Sequence, residues 1–153
     1  MKNTENELLA SFRIKDIELL EISLNQPLEP LKNQTIFHFN LGLEQKIYAD
    51  IKLVKVITKI GVSQDNNEAQ LASITVGCIF EVINLEEFID TKTKQVNLSE
   101  SILNTFNAIS ISTVRGIMYS QFKGTFLQHA ILPVIDTAAI MKTNNQADQA
   151  VKG

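Results

Sequence analysis

An α+β fold is what this sequence predicts: four antiparallel strands, then two helices packed on one face of the sheet. Three observations carry that prediction. The chain up to residue 83 contains four extended runs in which apolar and polar side chains alternate. The period becomes helical after Asn97. The length of 153 residues, with 44% hydrophobic and 20% charged, suits one domain around one core.

The elements follow in order. Residues 1–11 form a polar, flexible N-terminal arm. Phe12 to Leu24 is the first strand; Phe12 and Ile14 alternate with Arg13 and Lys15, and the apolar phase then shifts at Ile17 and again near Leu20. Such shifts inside an extended run predict a bulge or bend. Pro27 and Pro30 bracket a connector to about Gln34. Ile36 to Leu43 is the second strand, with Phe37, Phe39, Leu41 and Leu43 on one face. Ile47 to Val62 is a long β-branched run that changes phase near Leu53–Val54. The turn cluster Ser63 to Asn67 leads into the fourth strand, Leu71 to Ile83, whose Ile74, Val76, Cys78, Phe80 and Val82 form an apolar face. Short connections between consecutive strands predict an antiparallel meander. Asn97 with Glu100 resembles a capping box, and Ile102, Phe106, Ile109, Thr113 and Ile117 give the first helix its core stripe. Gly124 marks its end. A largely apolar linker runs from 125 to 135. Asp136 caps a short second helix reaching Met141, and a polar C-terminal tail occupies 142–153. The folded domain is therefore 12–141.

Charge and motif content exclude several function classes. A net charge of −3 does not favour nucleic acid, which calls for a basic surface. The single cysteine, Cys78, forms no intramolecular disulfide and fits a reducing compartment. The start of the chain lacks an apolar signal region, and no apolar run approaches the roughly 20 residues of a membrane span, so a cytoplasmic location is expected. There is no phosphate-cradling G-x-x-x-x-G-K-[ST], no G-x-G-x-x-G and no G-x-S-x-G. His38, His129 and Cys78 are scattered without metal-ligand spacing. The carboxylates Glu18, Glu21 and Glu29 read as a solvated strand edge. No catalytic residue, metal or cofactor is expected, and the chain reads as a binding protein rather than an enzyme.

Two surfaces exceed what one core needs. Thr105, Ala108, Ser112 and Gly116 place small side chains along one stripe of the first helix, while Ile111, Val114 and Met118 lie outside the Ile102–Phe106–Ile109 stripe. A helix apolar nearly all round is buried on several sides, and a second copy of the chain covers the extra side most simply. The region 79–89, with Phe122, Phe126, Leu127, Ile131 and Leu132, gathers apolar residues at element ends, which marks an interaction surface.

Several segments resemble the SecB export-chaperone family. Phe12 to Ile17, then Glu21-Ile22-Ser23-Leu24 and Pro27, is similar to the family's opening strand, F-x-I-x-x-I followed by D-I-S-F and a proline. Gly77-Cys78-Ile79-Phe80 is similar to G-G-I-F. Lys123-Gly124-Thr125-Phe126, then Ile131-Leu132-Pro133-Val134, is similar to R-G-T-F followed by L-x-P-V. The resemblance spans about 12–141 and implies a SecB-like fold that assembles as a homotetramer, a dimer of dimers, with Thr105, Ala108, Ser112 and Gly116 at the interface. It implies an ATP-independent holdase that takes unfolded or nascent polypeptides into hydrophobic grooves and keeps preproteins export-competent. Phe37, Phe39, Leu41, Phe80, Phe126, Ile140 and Met141 would line the groove, and Glu21 and Leu71 would belong to a surface that docks the preprotein translocase motor ATPase. Neither nucleic acid nor direct membrane insertion is implied. The chain departs from the family where Asn25 and Ser73 replace acidic residues of the docking surface, where Leu127 replaces a proline, and in its C-terminal tail. The alternative is a SecB-like adaptor dedicated to one client, such as an antitoxin.

Overall fold

The structure is a computed structural model that describes residues 8–65 and 67–137. It contains strands β1 (Phe12–Leu24), β2 (Phe37–Tyr48), β3 (Leu53–Gln64) and β4 (Asn67–Val82), followed by helix α1 (Glu100–Phe122). The strands form one antiparallel sheet in the order β1-β4-β3-β2. The α+β architecture is the predicted one, but the strand order is not a simple meander. Only β2, β3 and β4 follow one another, while β1 pairs with β4 at the far edge, a Greek-key arrangement. The connector 25–36 makes this possible. It has enough chain to cross three strand spacings, roughly 14 Å, where a hairpin needs only about two to five residues.

Local irregularities account for the phase changes in the sequence. β1 is bulged between Ile14 and Asp16 and again between Leu19 and Glu21. The two bulges place Phe12, Ile14, Ile17, Leu19, Ile22 and Leu24 opposite Val82, Phe80, Cys78, Val76, Ile74 and Ala72, so one apolar face is kept along the strand. The long run 47–62 breaks into the end of β2, a 3-10 turn at Ala49–Ile51 and the start of β3. Lys52 closes that turn in the left-handed region at φ 56°. Its amide donates to Ala49 O at 3.2 Å, and its carbonyl accepts Val82 N at 2.9 Å.

α1 lies over β3 and β4. Val54, Val56, Ile60 and Val62 of β3 and Ile74, Val76, Cys78, Phe80 and Val82 of β4 are wholly buried beneath it. At one end Phe80 stacks on Phe106 with ring centroids 4.5 Å apart, and Phe12 meets Phe106 edge-on at 4.8 Å. Burial pushes the Cys78 thiol above its ordinary range, with the Ser110 and Thr113 side chains pulling the other way, so Cys78 is a small core side chain.

Two expectations about the helices need correction. Ser99, not Asn97, caps α1, with its hydroxyl accepting Ile102 N at 3.3 Å. Asn97 is instead tied into the preceding loop, where its amide donates to Phe88 O at 2.8 Å. The buried stripe is Phe106, Ser110, Val114, Met118 and Phe122, flanked by Asn107 and Ile111. Ile102, Ile109, Thr113 and Ile117 are only half-buried, so the helix is rotated from the expected stripe by part of a turn. α1 is the one helix seen packed on the sheet among the described residues, and the second helix expected over 136–141 lies outside them beyond Thr137.

Candidate functional site

One concave site of mixed apolar and polar lining is built where the connector 25–36 faces the turn that follows α1. The connector is held at both ends. Asn25 N donates to Leu71 O at 2.8 Å and Asn25 Nδ2 to Gln70 O at 3.0 Å. At the other end Asp65 N donates to Ile36 O at 2.8 Å. Between these anchors Pro27 and Pro30 fix their own φ angles, and Thr35 folds back on Lys32 O through its hydroxyl at 2.7 Å and its amide at 3.1 Å. Leu28 consequently projects into solvent, as exposed as in an open chain at 105%. A leucine held out by a fixed backbone has paid part of its ordering cost before it meets anything.

The opposite wall begins as α1 ends at Phe122. Gly124 takes φ 78°, which an L side chain adopts only at a cost. Thr125 then donates to Phe122 O through its hydroxyl at 2.7 Å and its amide at 3.0 Å, and accepts Leu127 N on the same hydroxyl at 3.1 Å. This turn buries Leu127 completely and leaves Phe126 half-buried. A proline at 127 would lack the amide donated to Thr125, so the departure from the family pattern is matched by a hydrogen bond. The space between the walls is a cavity of about 770 Å³, with Pro27, Leu28, Leu31, Phe37 and Phe126 as its apolar lining. That size lies within the usual range of ligand clefts, about 300–1,000 Å³.

The expected groove residues are distributed as follows. Phe37 and Phe126 are brought together in the cavity. Phe39 and Leu41 continue from Phe37 along the same face of β2, half-buried against the core. Phe80 has no exposed surface and belongs to the aromatic core cluster with Phe106 and Phe12. Ile140 and Met141 lie outside the described residues. The sequence marks Pro27 and Pro30 as bracketing a connector, and the wall built by Pro27, Leu28, Pro30 and Leu31 emerges only from the structure.

The stripe of small residues lies on the solvent side of α1: Thr105, Ala108, Ser112 and Gly116 are all exposed. Between Glu100 and Arg115 the helix carries no charge. Thr105 and Thr113 turn their hydroxyls back to Ser101 O at 2.9 Å and Ile109 O at 2.8 Å, which hides their polarity. A Cβ added at Gly116 would meet nothing within 4 Å, so no contact among the described residues requires a glycine there. Asn107 turns one flank to β2, where Gln45 Nε2 donates to its Oδ1 at 2.7 Å. Ile109 and Thr113 lie on the flank toward β1, whose Ile14, Ile17, Leu19 and Leu24 are 41–45% exposed although they share the face that carries the core.

The outer face of the sheet mixes charged side chains with Leu20, Ile57 and Ile79. Lys55 of β3 reaches across Gly77 of β4 to Glu18 of β1 at 3.0 Å, and a Cβ at Gly77 would come within 3.0 Å of the Lys55 chain. Glu21 is exposed opposite Thr75. Leu71 is 4% exposed at the foot of the connector, and Ser73 is also buried, its hydroxyl without a partner. Among the described residues no three metal-ligating side chains gather, and no helix is long and apolar enough to cross a membrane.

No family model matches the sequence, and no curated protein matches it. Structure is more informative. The chain superposes on a SecB-like chaperone of Mycobacterium tuberculosis, solved in complex with a peptide from an antitoxin, with a TM-score of 0.62 over 82% of this chain and 90% of that one. This is a SecB-like fold. Sequence identity is 15%, so the likeness resides in the architecture. The strand order, the long connector and the helix over the sheet are the frame of that SecB-like fold.

Proposed function

We propose that this chain is an ATP-independent holdase that binds unfolded or nascent polypeptides, with the connector cavity and the adjoining face of β2 as its groove. The observation that carries this reading is the rigidly anchored connector presenting Leu28 to solvent above a cavity walled by Phe37 and Phe126. Apolar area without a fixed pattern of polar contacts suits a variable client, since burial contributes about 25 cal/mol per Å² whatever the side chain, before ordering costs. Phe39 and Leu41 extend the apolar strip along β2. Ile140 and Met141 are proposed to continue it.

The back of α1 is proposed as the interface between copies, with Thr105, Ala108, Ser112 and Gly116 at its centre and β1 at its margin. A tetramer built as a dimer of dimers would carry several grooves, and a long client would gain from their effective concentration. The cytoplasm is the proposed location, and no reaction chemistry is assigned.

A second reading is an adaptor that serves one client, such as an antitoxin. Two observations favour it over a role in export. The SecB-like neighbour holds an antitoxin peptide. Of the two expected motor-docking residues Glu21 is exposed and Leu71 is buried, and Asn25, which stands where the family carries an acid, is hydrogen-bonded to Gln70 O and Leu71 O as an anchor of the connector. Docking of the translocase motor therefore rests on Glu21 and its neighbours.

Diluting a chemically unfolded, slow-folding protein into stoichiometric amounts of this chain tests the holdase reading. Light scattering by the client should fall in proportion to the chain added, without ATP. Unchanged aggregation of several unrelated clients, together with tight binding of one co-purifying protein, would replace the holdase with the adaptor.

A further inference from the structure

The cavity has an electrical character that its apolar walls do not require. Its lining includes Lys32 and His129 and no carboxylate. A smaller cleft of about 280 Å³ shares Gln128 and His129 with it and continues past Tyr119, Ile131 and Lys123, again without a carboxylate. The two form one tract along the post-helix turn with a lysine on either part. This runs against the chain as a whole, whose net charge is −3.

Several other basic side chains are paired, and Lys15, Lys59, Lys92 and Lys94, which have no ion pair among the described residues, line neither cleft. Arg13 pairs with Glu81, Lys46 with Glu44, Lys52 with Glu86 and Lys55 with Glu18, while Arg115 donates to the carbonyls of Leu132 and Pro133. Lys32 and Lys123 are exposed and have no ion pair among the described residues. Neither nearby acid lines this cavity. Glu29 and Asp65 line a cleft on the other side of the connector that Lys32 also borders, and Asp65 is held by His38 at 2.6 Å. Low-dielectric walls beside unpaired cations focus their field into the groove.

We propose that this tract selects extended polypeptide segments in which an aromatic or aliphatic anchor is flanked by carboxylates. The anchor seats between Leu28, Phe37 and Phe126, and the flanking Asp or Glu side chains pair with Lys32 and Lys123. This rests on the groove reading above and adds to it a preference that apolar area alone does not create. Segments with basic flanks are disfavoured, because they bring like charges together at the rim.

The test uses two short labelled peptides with the same Phe/Leu/Ile centre, one flanked by Asp and Glu and one by Lys. Fluorescence anisotropy is read at low and at physiological salt. The acidic-flanked peptide should bind about five- to tenfold more tightly at low salt, and the ratio should shrink as salt screens the rim. The double variant K32E/K123E should invert the preference while keeping the circular dichroism and mass of the parent, because both side chains are exposed and unpaired. Equal affinity for the two peptides, or a preference that K32E/K123E leaves unchanged, overturns the charge selection and leaves the groove standing. Binding of neither peptide overturns the groove and the selection together.

Discussion

The back of α1 and the connector tract are both apolar and both uncovered, yet they are made of opposite materials. The helix back is shallow and uncharged, lined by Thr105, Ala108, Ser112 and Gly116, so a second backbone can approach it closely. The connector tract is concave, walled by Leu28, Phe37 and Phe126 on anchored loops, and edged by lysines. A flat surface of small side chains rewards a partner of fixed shape, such as another copy of itself. A cleft with projecting side chains rewards an extended chain of variable sequence. On the proposed reading the same fold separates assembly from capture.

Substitutions sharpen that separation. The largest effect is expected at Phe80, which stands in neither region. Phe80→Ala empties a site packed against Phe106 and Phe12 and should cost about 3–5 kcal/mol in chemical denaturation, with any loss of client binding following the loss of fold. Next comes the helix back. Ala108→Arg with Ser112→Arg places two charges on a face that carries none, and light scattering should show subunits that stay folded, by circular dichroism, but no longer assemble. Peptide binding by the connector tract should survive in those subunits; its disappearance would mean that the two regions form one site. The smallest effect is at Gly116. In the dissociated subunit Gly116→Ala should raise stability by up to about 1 kcal/mol, since the added methyl meets nothing and the helix gains propensity. In the assembled protein the same change should weaken association. A uniform gain in both states would show that no backbone approaches there.

Much of this was legible in the sequence, because strand alternation and helix period report on a buried face directly. The four strands, the bulged first strand and the start of a helix near residue 100 all follow from such patterns. Strand order was not legible, since adjacency depends on where the connector 25–36 leads and not on the pattern within each strand. The helix stripe was misplaced because α1 is apolar almost all round, so several stripes fit the sequence and packing chose the one containing Ser110. The same ambiguity put Phe80 in a groove: a phenylalanine on a strand face reads alike whether a helix or a client covers it. Phe126 was legible from the apolar cluster at element ends, Phe37 as a groove residue only through the family resemblance, and Leu28 only once its exposure was seen.

The central claim is that polypeptide is captured between the connector and the post-helix turn. Hydrogen exchange of the protein saturated with an unfolded client tests it most directly. Protection should concentrate in residues 25–37 and 123–131, with α1 and the outer face of the sheet unchanged from the free protein. Protection confined to β1, the outer face or the back of α1, with the connector exchanging as fast as before, would contradict the account.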